Sequence, residues 1–236
     1  MAQLRPMPPL TVPAADLALF GQRWAQLGRR LERSKPQSST QLCQVFDKAV
    51  AEALAAMLGG IPVVKPKKRA LIPPAPDCVE LGEVLIIGGV RPQQFDVGYR
   101  PDGVRFAFDS KTLNDTKSIG KNWGNMVNDL GTEATGVHSR FPHAVVAFMV
   151  ILPGPSFVPA QQPAVIETLE RLAGRFGVND PAYMAEVIAL IVWNPADGTI
   201  DPDVPDPSSP LRLEAFSDQV RAAYSRRYKG LPPHAA

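Results

Sequence analysis

Residues 94 to 111, QFDVGYRPDGVRFAFDSK, constrain the fold more tightly than any other stretch of the chain. Pro101-Asp102-Gly103 favours chain reversal. On either side lie Phe95 to Tyr99 and Val104 to Phe108, rich in aromatic and β-branched residues. The pattern predicts two antiparallel strands joined by a tight turn. Side chains on a strand alternate faces. Asp109 and Lys111 therefore share one face, and Ser110, Phe106 and Phe108 share the other, which is the packed one. The first strand runs back beside the second and carries Asp96 toward Asp109.

Two carboxylates converging at a strand end form a hard oxygen site. Mg²⁺ suits it, because this ion takes one or two carboxylates and fills its other positions with water and phosphate oxygens. Such a site can polarise a phosphoryl oxygen and activate a bound water. Lys111, on the same face, could orient the attacking water or offset charge in the transition state. Beside two anions it should stay an ammonium. A solvated strand face carrying Asp-x-Lys remains the plainer alternative.

With Phe95-Asp96 as first acid and Asp109-Ser110-Lys111 as the second element, the chain resembles the PD-(D/E)XK nuclease superfamily, and within it the type II restriction endonucleases. Pro101-Asp102 is a decoy, since it sits in the turn. The resemblance implies an α/β fold with an αβββαβ core over residues 40–153: a mixed central sheet flanked by helices, with extra N- and C-terminal helices. It departs from the common pattern in Asp for Glu and in Phe-Asp for Pro-Asp; neither removes a ligand oxygen. It implies Mg²⁺ on Asp96 and Asp109, double-stranded DNA as partner, 5′-phosphate and 3′-hydroxyl ends, and a homodimer matching a palindromic site. Repair, junction-resolving or phage nucleases on the same core are alternatives, as is a DNA-binding protein without catalysis.

Many members add an acid from the preceding helix. Here that helix is predicted at 40–58, with Cys43, Val50, Leu54 and Met57 on one stripe. Asp47 lies in the stripe, where an unpaired carboxylate is costly. It is preferred over Glu52, which follows Lys48 by four residues and reads as a surface charge.

A second core helix is predicted over Lys121 to Val137, though Gly124, Gly131 and Gly136 weaken it. Lys117, Ser118, Lys121, Asn122 and Asn125 cluster near its beginning, and a helix start with amide and ammonium donors suits phosphate. The stretch is similar to the Lys-Asn-Trp-x-Asn run after the catalytic lysine in some restriction enzymes. Trp123 is expected to anchor the core. Arg140 and His138 could reach phosphate. His143 to Leu152, HAVVAFMVIL, is too short to span a membrane and reads as a buried central strand.

The outer parts are an arm at 1–12, an amphipathic helix at 14–33 with Leu17, Phe20, Trp24, Leu27 and Leu31 on one face, and an irregular proline-rich stretch at 61–83. Further on come a strand at 84–87, a helix at 163–176 with Ile166, Leu169, Leu172 and Ala173 inward, a strand at 186–193 and a last helix at 211–228. The predicted organisation is 1–39, 40–153 and 154–236, packed as one compact domain. Asp197, Asp201, Asp203 and Asp206 read as a solvated loop.

The formal charge of +2 does not by itself argue for nucleic acid. Its distribution says more: basic residues gather at Arg23 to Lys35, at Lys65 to Arg69 and at Arg221 to Lys229, and such patches can follow a phosphate backbone. Two isolated cysteines, Cys43 and Cys78, suggest a reducing compartment. No signal-peptide pattern is visible, so the expected location is the cytoplasm.

Overall fold

The computed structural model describes residues 4–28 and 37–234; the side chains of 37–40, Thr116 and Ser118 fall outside that description. Six strands form one mixed sheet in the order β1-β2-β3-β4-β5-β6. They are β1 Val63–Val64, β2 Val79–Ile87, β3 Pro92–Tyr99, β4 Phe106–Thr112, β5 Val145–Pro153 and β6 Val187–Trp193. The helices are α1 Ala14–Gln26, α2 Gln37–Met57, α3 Thr116–His138, α4 Gln162–Leu172 and α5 Leu213–Tyr228. β2, β3 and β4 pair antiparallel, whereas β4, β5 and β6 run parallel. Parallel neighbours need crossovers, and α3 and α4 lie in those two connections.

Both faces of the sheet are covered. One core gathers α1, α2 and α5 against Val97, Phe106, Phe108, Ala147 and Ile191. The other packs α3 and α4 against Ala107, Val146, Phe148 and Leu190. β5 and β6 are buried along their whole length, as double coverage requires. Because β6 and α5 complete this sheet and its cores, the residues beyond 153 are built into the central architecture rather than added to it.

Several element bounds differ from expectation. The irregular stretch at 61–83 contains β1, and β2 starts at Val79 instead of Val84 because residues 79–81 pair with Val97 to Tyr99. β4 is shifted toward its C-terminus: Phe106 to Thr112 pair with Val145 to Ile151 of β5. α3 begins at Thr116, earlier than Lys121. α1 ends at Gln26 rather than Arg33; Gly28 follows at φ 68°, the left-handed stop suited to glycine. Leu31 lies outside the described residues, as do Arg29, Arg30, Arg33 and Lys35. α4 ends at Leu172, leaving Phe176 exposed, and its buried positions are Val165 and Leu169.

Two buried ion clusters fix the frame around the hairpin. Glu80 on β2 takes a two-pronged pair from Arg100, with both bonds at 2.7 Å. Glu186, just before β6, is reached by His138, Arg175, Arg227 and the backbone N–H of Val146. Burial works to raise its pKa, but the His138 hydrogen bond and charge and the nearby Arg227 charge bring it below the ordinary value. His138 and Arg227, both candidates for phosphate contact, are thus spent inside the fold. His138 occupies the last turn of α3 and points inward, with Nδ1 at 2.9 Å from the Ala182 carbonyl.

Candidate active site

The β3–β4 ladder runs from Tyr99↔Phe106 to Val97↔Phe108 and stops there. The next two residues facing each other are Asp96 and Asp109. The break has a local cause on the other side of β3, where the register with β2 shifts between Leu81 and Val84. Gly82 and Glu83 are accommodated there, with Gly82 at φ 128°, a backbone state open to glycine. Such bulges re-aim side chains. The Asp96 carboxylate accepts the Ser110 backbone N–H at 3.0 Å, where a ladder bond would have been.

Ser110 joins three elements. Its hydroxyl lies 2.6 Å from Asp47 Oδ1 on α2 and 3.1 Å from Asp96 Oδ2 on β3. The alternation along β4 sends Ser110 toward α2 and sends Asp109 and Lys111 toward α3. Lys111 ion-pairs with Asp109 and donates to Glu133 Oε1 of α3 at 2.8 Å. The ammonium side chain remains 26% exposed.

Burial is the first cause of the raised carboxyl pKa values. It lifts Asp47 and Asp96, and mutual repulsion lifts them further: Asp96 acts on Asp47, and Asp109 on Asp96. Ser110 partly opposes the rise by hydrogen bonding. Asp109 is raised by burial and held back by the Lys111 charge. For Lys111 burial works downward, but the charges of Asp109 and then Glu133 carry its pKa above the ordinary value, so it is an ammonium. The Cys43 thiol is pushed up by burial and then by Asp47, and it stays a neutral thiol.

Cys43, Asp47, Asp96, Asp109, Ser110 and Lys111 line an open cleft of about 640 Å³, together with Gln44, Lys48, Lys65, Glu83 and Thr112. Among the described residues no group of three His, Cys, Asp or Glu side chains is arranged to hold a metal ion. Asp47 is engaged by Ser110, its Oδ1 accepting the hydroxyl at 2.6 Å. Asp96 and Asp109 remain as a pair. Asp109 Oδ2 touches Lys111 but accepts no well-angled hydrogen bond. A buried carboxylate oxygen with spare capacity, beside a second carboxyl whose own charge it destabilises, fits a divalent cation that brings its own waters.

The other candidates lie elsewhere. Glu52 is exposed and pairs with Lys48 at 3.7 Å. Lys117, Lys121, Asn122, Asn125 and Arg140 do not line the cleft with the acids; the side chain of Ser118 is outside the described residues. Arg140 bonds the Ile87 carbonyl at 3.0 Å. Trp123 packs half-buried against the α3-side core. Asp197, Asp201 and Asp206 each cap turns in their own loop. Arg226 stacks on Phe176.

Sequence reasoning left Ser110 without a role and missed Glu133. Glu133 carried a usable signal, an acid beside the apolar helical row of Met126, Leu130, Ala134 and Val137. No family model matches the chain, and no curated protein or solved structure matches it either. No helix among the described residues is long and apolar enough to cross a membrane.

Proposed function

We propose that this protein is a Mg²⁺-dependent DNA endonuclease, and that its form is a type II restriction enzyme acting on a specific double-stranded site. The observation that carries the reading is the broken ladder at Asp96 and Asp109, with Lys111 on the same face as Asp109 and Asp47 tied in through Ser110. The resemblance noted in the sequence falls on these same residues.

Asp96 and Asp109 would hold the ion. Bound there, Mg²⁺ would supply charge at a phosphoryl oxygen and a more acidic water. Lys111 donates to the attacking water or to the phosphoryl oxygen that gains charge. Ser110 keeps Asp96 oriented, and Asp47 keeps Ser110 oriented. Lys48 and Lys65 stand at the cleft, where a phosphate backbone would meet positive charge. Water attacks phosphorus, the bond from phosphorus to the 3′ oxygen breaks, and the products are a 5′-phosphate and a 3′-hydroxyl. A homodimer would match a palindromic site.

Supercoiled plasmid is the test substrate. Wild type is expected to nick or linearise it with Mg²⁺ and not with EDTA, and Asp109→Ala is expected to lose the activity by at least about a hundredfold. Cutting in EDTA, or full activity in the variant, overturns the reading.

A further inference from the structure

One ammonium offsets two acids. Lys111 ion-pairs with Asp109 on its own strand and donates to Glu133 Oε1 of α3 at 2.8 Å. Among the described residues no other cation pairs with either acid. Both are largely buried, the Asp109 side chain 9% exposed and that of Glu133 13%. A buried acid stripped of its counter-ion is strongly destabilised. Neither acid can therefore part with Lys111 unless another positive charge takes its place.

The pair with Asp109 stands in the way of a metal. The oxygen that Lys111 touches is Asp109 Oδ2, which is otherwise without a partner. A cation shared by Asp96 and Asp109 must take oxygens of the carboxylate on which the ammonium rests. A dication and an ammonium crowded onto one carboxylate repel each other. Lysine can yield, because its ammonium rides on a flexible four-carbon stem. Glu133 fixes where it goes. It reaches the ammonium from a different element, so Lys111 can release Asp109 and keep Glu133. Glu133 has no other compensation, since its second oxygen, Oε2, is buried without a hydrogen bond.

We propose that Lys111 is a resident counter-ion that fills the cation's place on Asp109 in the metal-free protein, and that Glu133 is the positioning residue that retains the ammonium when a divalent cation takes Asp109. The proposal rests on the metal-dependent nuclease reading. The exchange leaves no acid bare: Asp109 trades the ammonium for the dication, and Glu133 keeps Lys111. It also sets an order of events. The ammonium becomes available to water or phosphate only after Asp109 has received its metal.

The test is a double-mutant cycle on metal binding: Mn²⁺ titrated into the full chain without DNA and followed by electron paramagnetic resonance. Lys111→Met removes the competing ammonium and keeps most of the stem. It is expected to bind Mn²⁺ about tenfold more tightly than wild type, a coupling ordinary for groups in contact. Glu133→Gln is expected to bind about tenfold more weakly, because the ammonium has lost its second partner and stays on Asp109. In the Lys111→Met background the same Glu133→Gln change is expected to cost nothing, since there is no ammonium left to retain. A role for Glu133 as a distant negative charge, or in the packing of α3, would instead lower affinity equally in both backgrounds. That result overturns the proposal, as does Mn²⁺ binding in Lys111→Met no tighter than in wild type. Circular dichroism checks each fold, and Lys111→Gln replaces the methionine variant if that one misfolds. The two readings fail separately. Wild type and Lys111→Met both unable to bind Mn²⁺ would remove the metal centre itself, whereas binding with equal Glu133→Gln losses would remove only the exchange.

Discussion

Ser110 is the residue on which the site geometry turns. It donates through both its backbone and its hydroxyl, and it faces two buried carboxyls at once. Ser110→Ala removes the hydroxyl and leaves Asp47 buried without its donor. Partners one step behind a metal ligand are typically worth about 10–100-fold in metal affinity. The variant is therefore expected to need correspondingly more Mg²⁺ for half-maximal cleavage, with the rate recovering at saturation; an unchanged Mg²⁺ requirement would contradict this. The acids themselves imply a pH dependence. Their ordinary value is 3.8, and in the fold Asp47 is pushed up to about 9 and Asp96 to about 7. Folded pKa values above unfolded ones mean that the native state holds these protons longer. Their contribution to stability is complete below about pH 3.8 and is lost as pH rises through 7 and 9. In EDTA the melting temperature is expected to fall over roughly pH 5.5 to 9. Asp47→Asn should flatten the upper part of that fall. A melting temperature that rises over the window would refute the assignment.

At the level of elements, the antiparallel hairpin was legible because its signals are local: a Pro-Asp-Gly turn and alternating apolar residues. The continuation of β4 through Thr112 was not, since it follows from parallel pairing with β5, more than thirty residues away. The bulge at Gly82 was hidden for the same reason. Asp47 could be read from its place in an apolar stripe, and the same logic applied to α3 would have found Glu133. Ser110 could be put on the packed face but not given partners, which come from α2 and β3. The docking of the hairpin on α3 also needed coordinates. Gly89 donates to the Gly136 carbonyl at 2.8 Å, and a Cβ on Gly88 would meet that oxygen at 2.2 Å. The Glu186 cluster ties α3, α5 and the strand before β6 together behind the site. Glu186→Ala would leave Arg175 and Arg227 as buried charges without their shared partner. Breaking such a cluster costs about 3–5 kcal/mol. Urea denaturation is expected to show a midpoint lowered accordingly; a loss within experimental error would mean that water replaces the carboxylate freely.

For the whole molecule, the sheet separates two apolar cores and presents its acids where antiparallel and parallel halves meet, at β4. The antiparallel half supplies Asp96 and the bulge, while the strand shared by both halves supplies Asp109, Ser110 and Lys111. Helices from opposite faces then reach the same strand, Asp47 through Ser110 and Glu133 through Lys111. The net charge is a modest +2, and Lys48 and Lys65 stand beside the acids at the cleft. The proposed chemistry depends on the two carboxylates sharing a cation. Mn²⁺ stands in for Mg²⁺ and is visible by electron paramagnetic resonance, so a titration of the purified chain without DNA reads the binding itself. Wild type is expected to bind Mn²⁺, with the bound signal competed away by Mg²⁺, and Asp109→Asn is expected to lose that binding while keeping its circular dichroism spectrum. Equal Mn²⁺ binding in wild type and variant would contradict the assignment of these two aspartates.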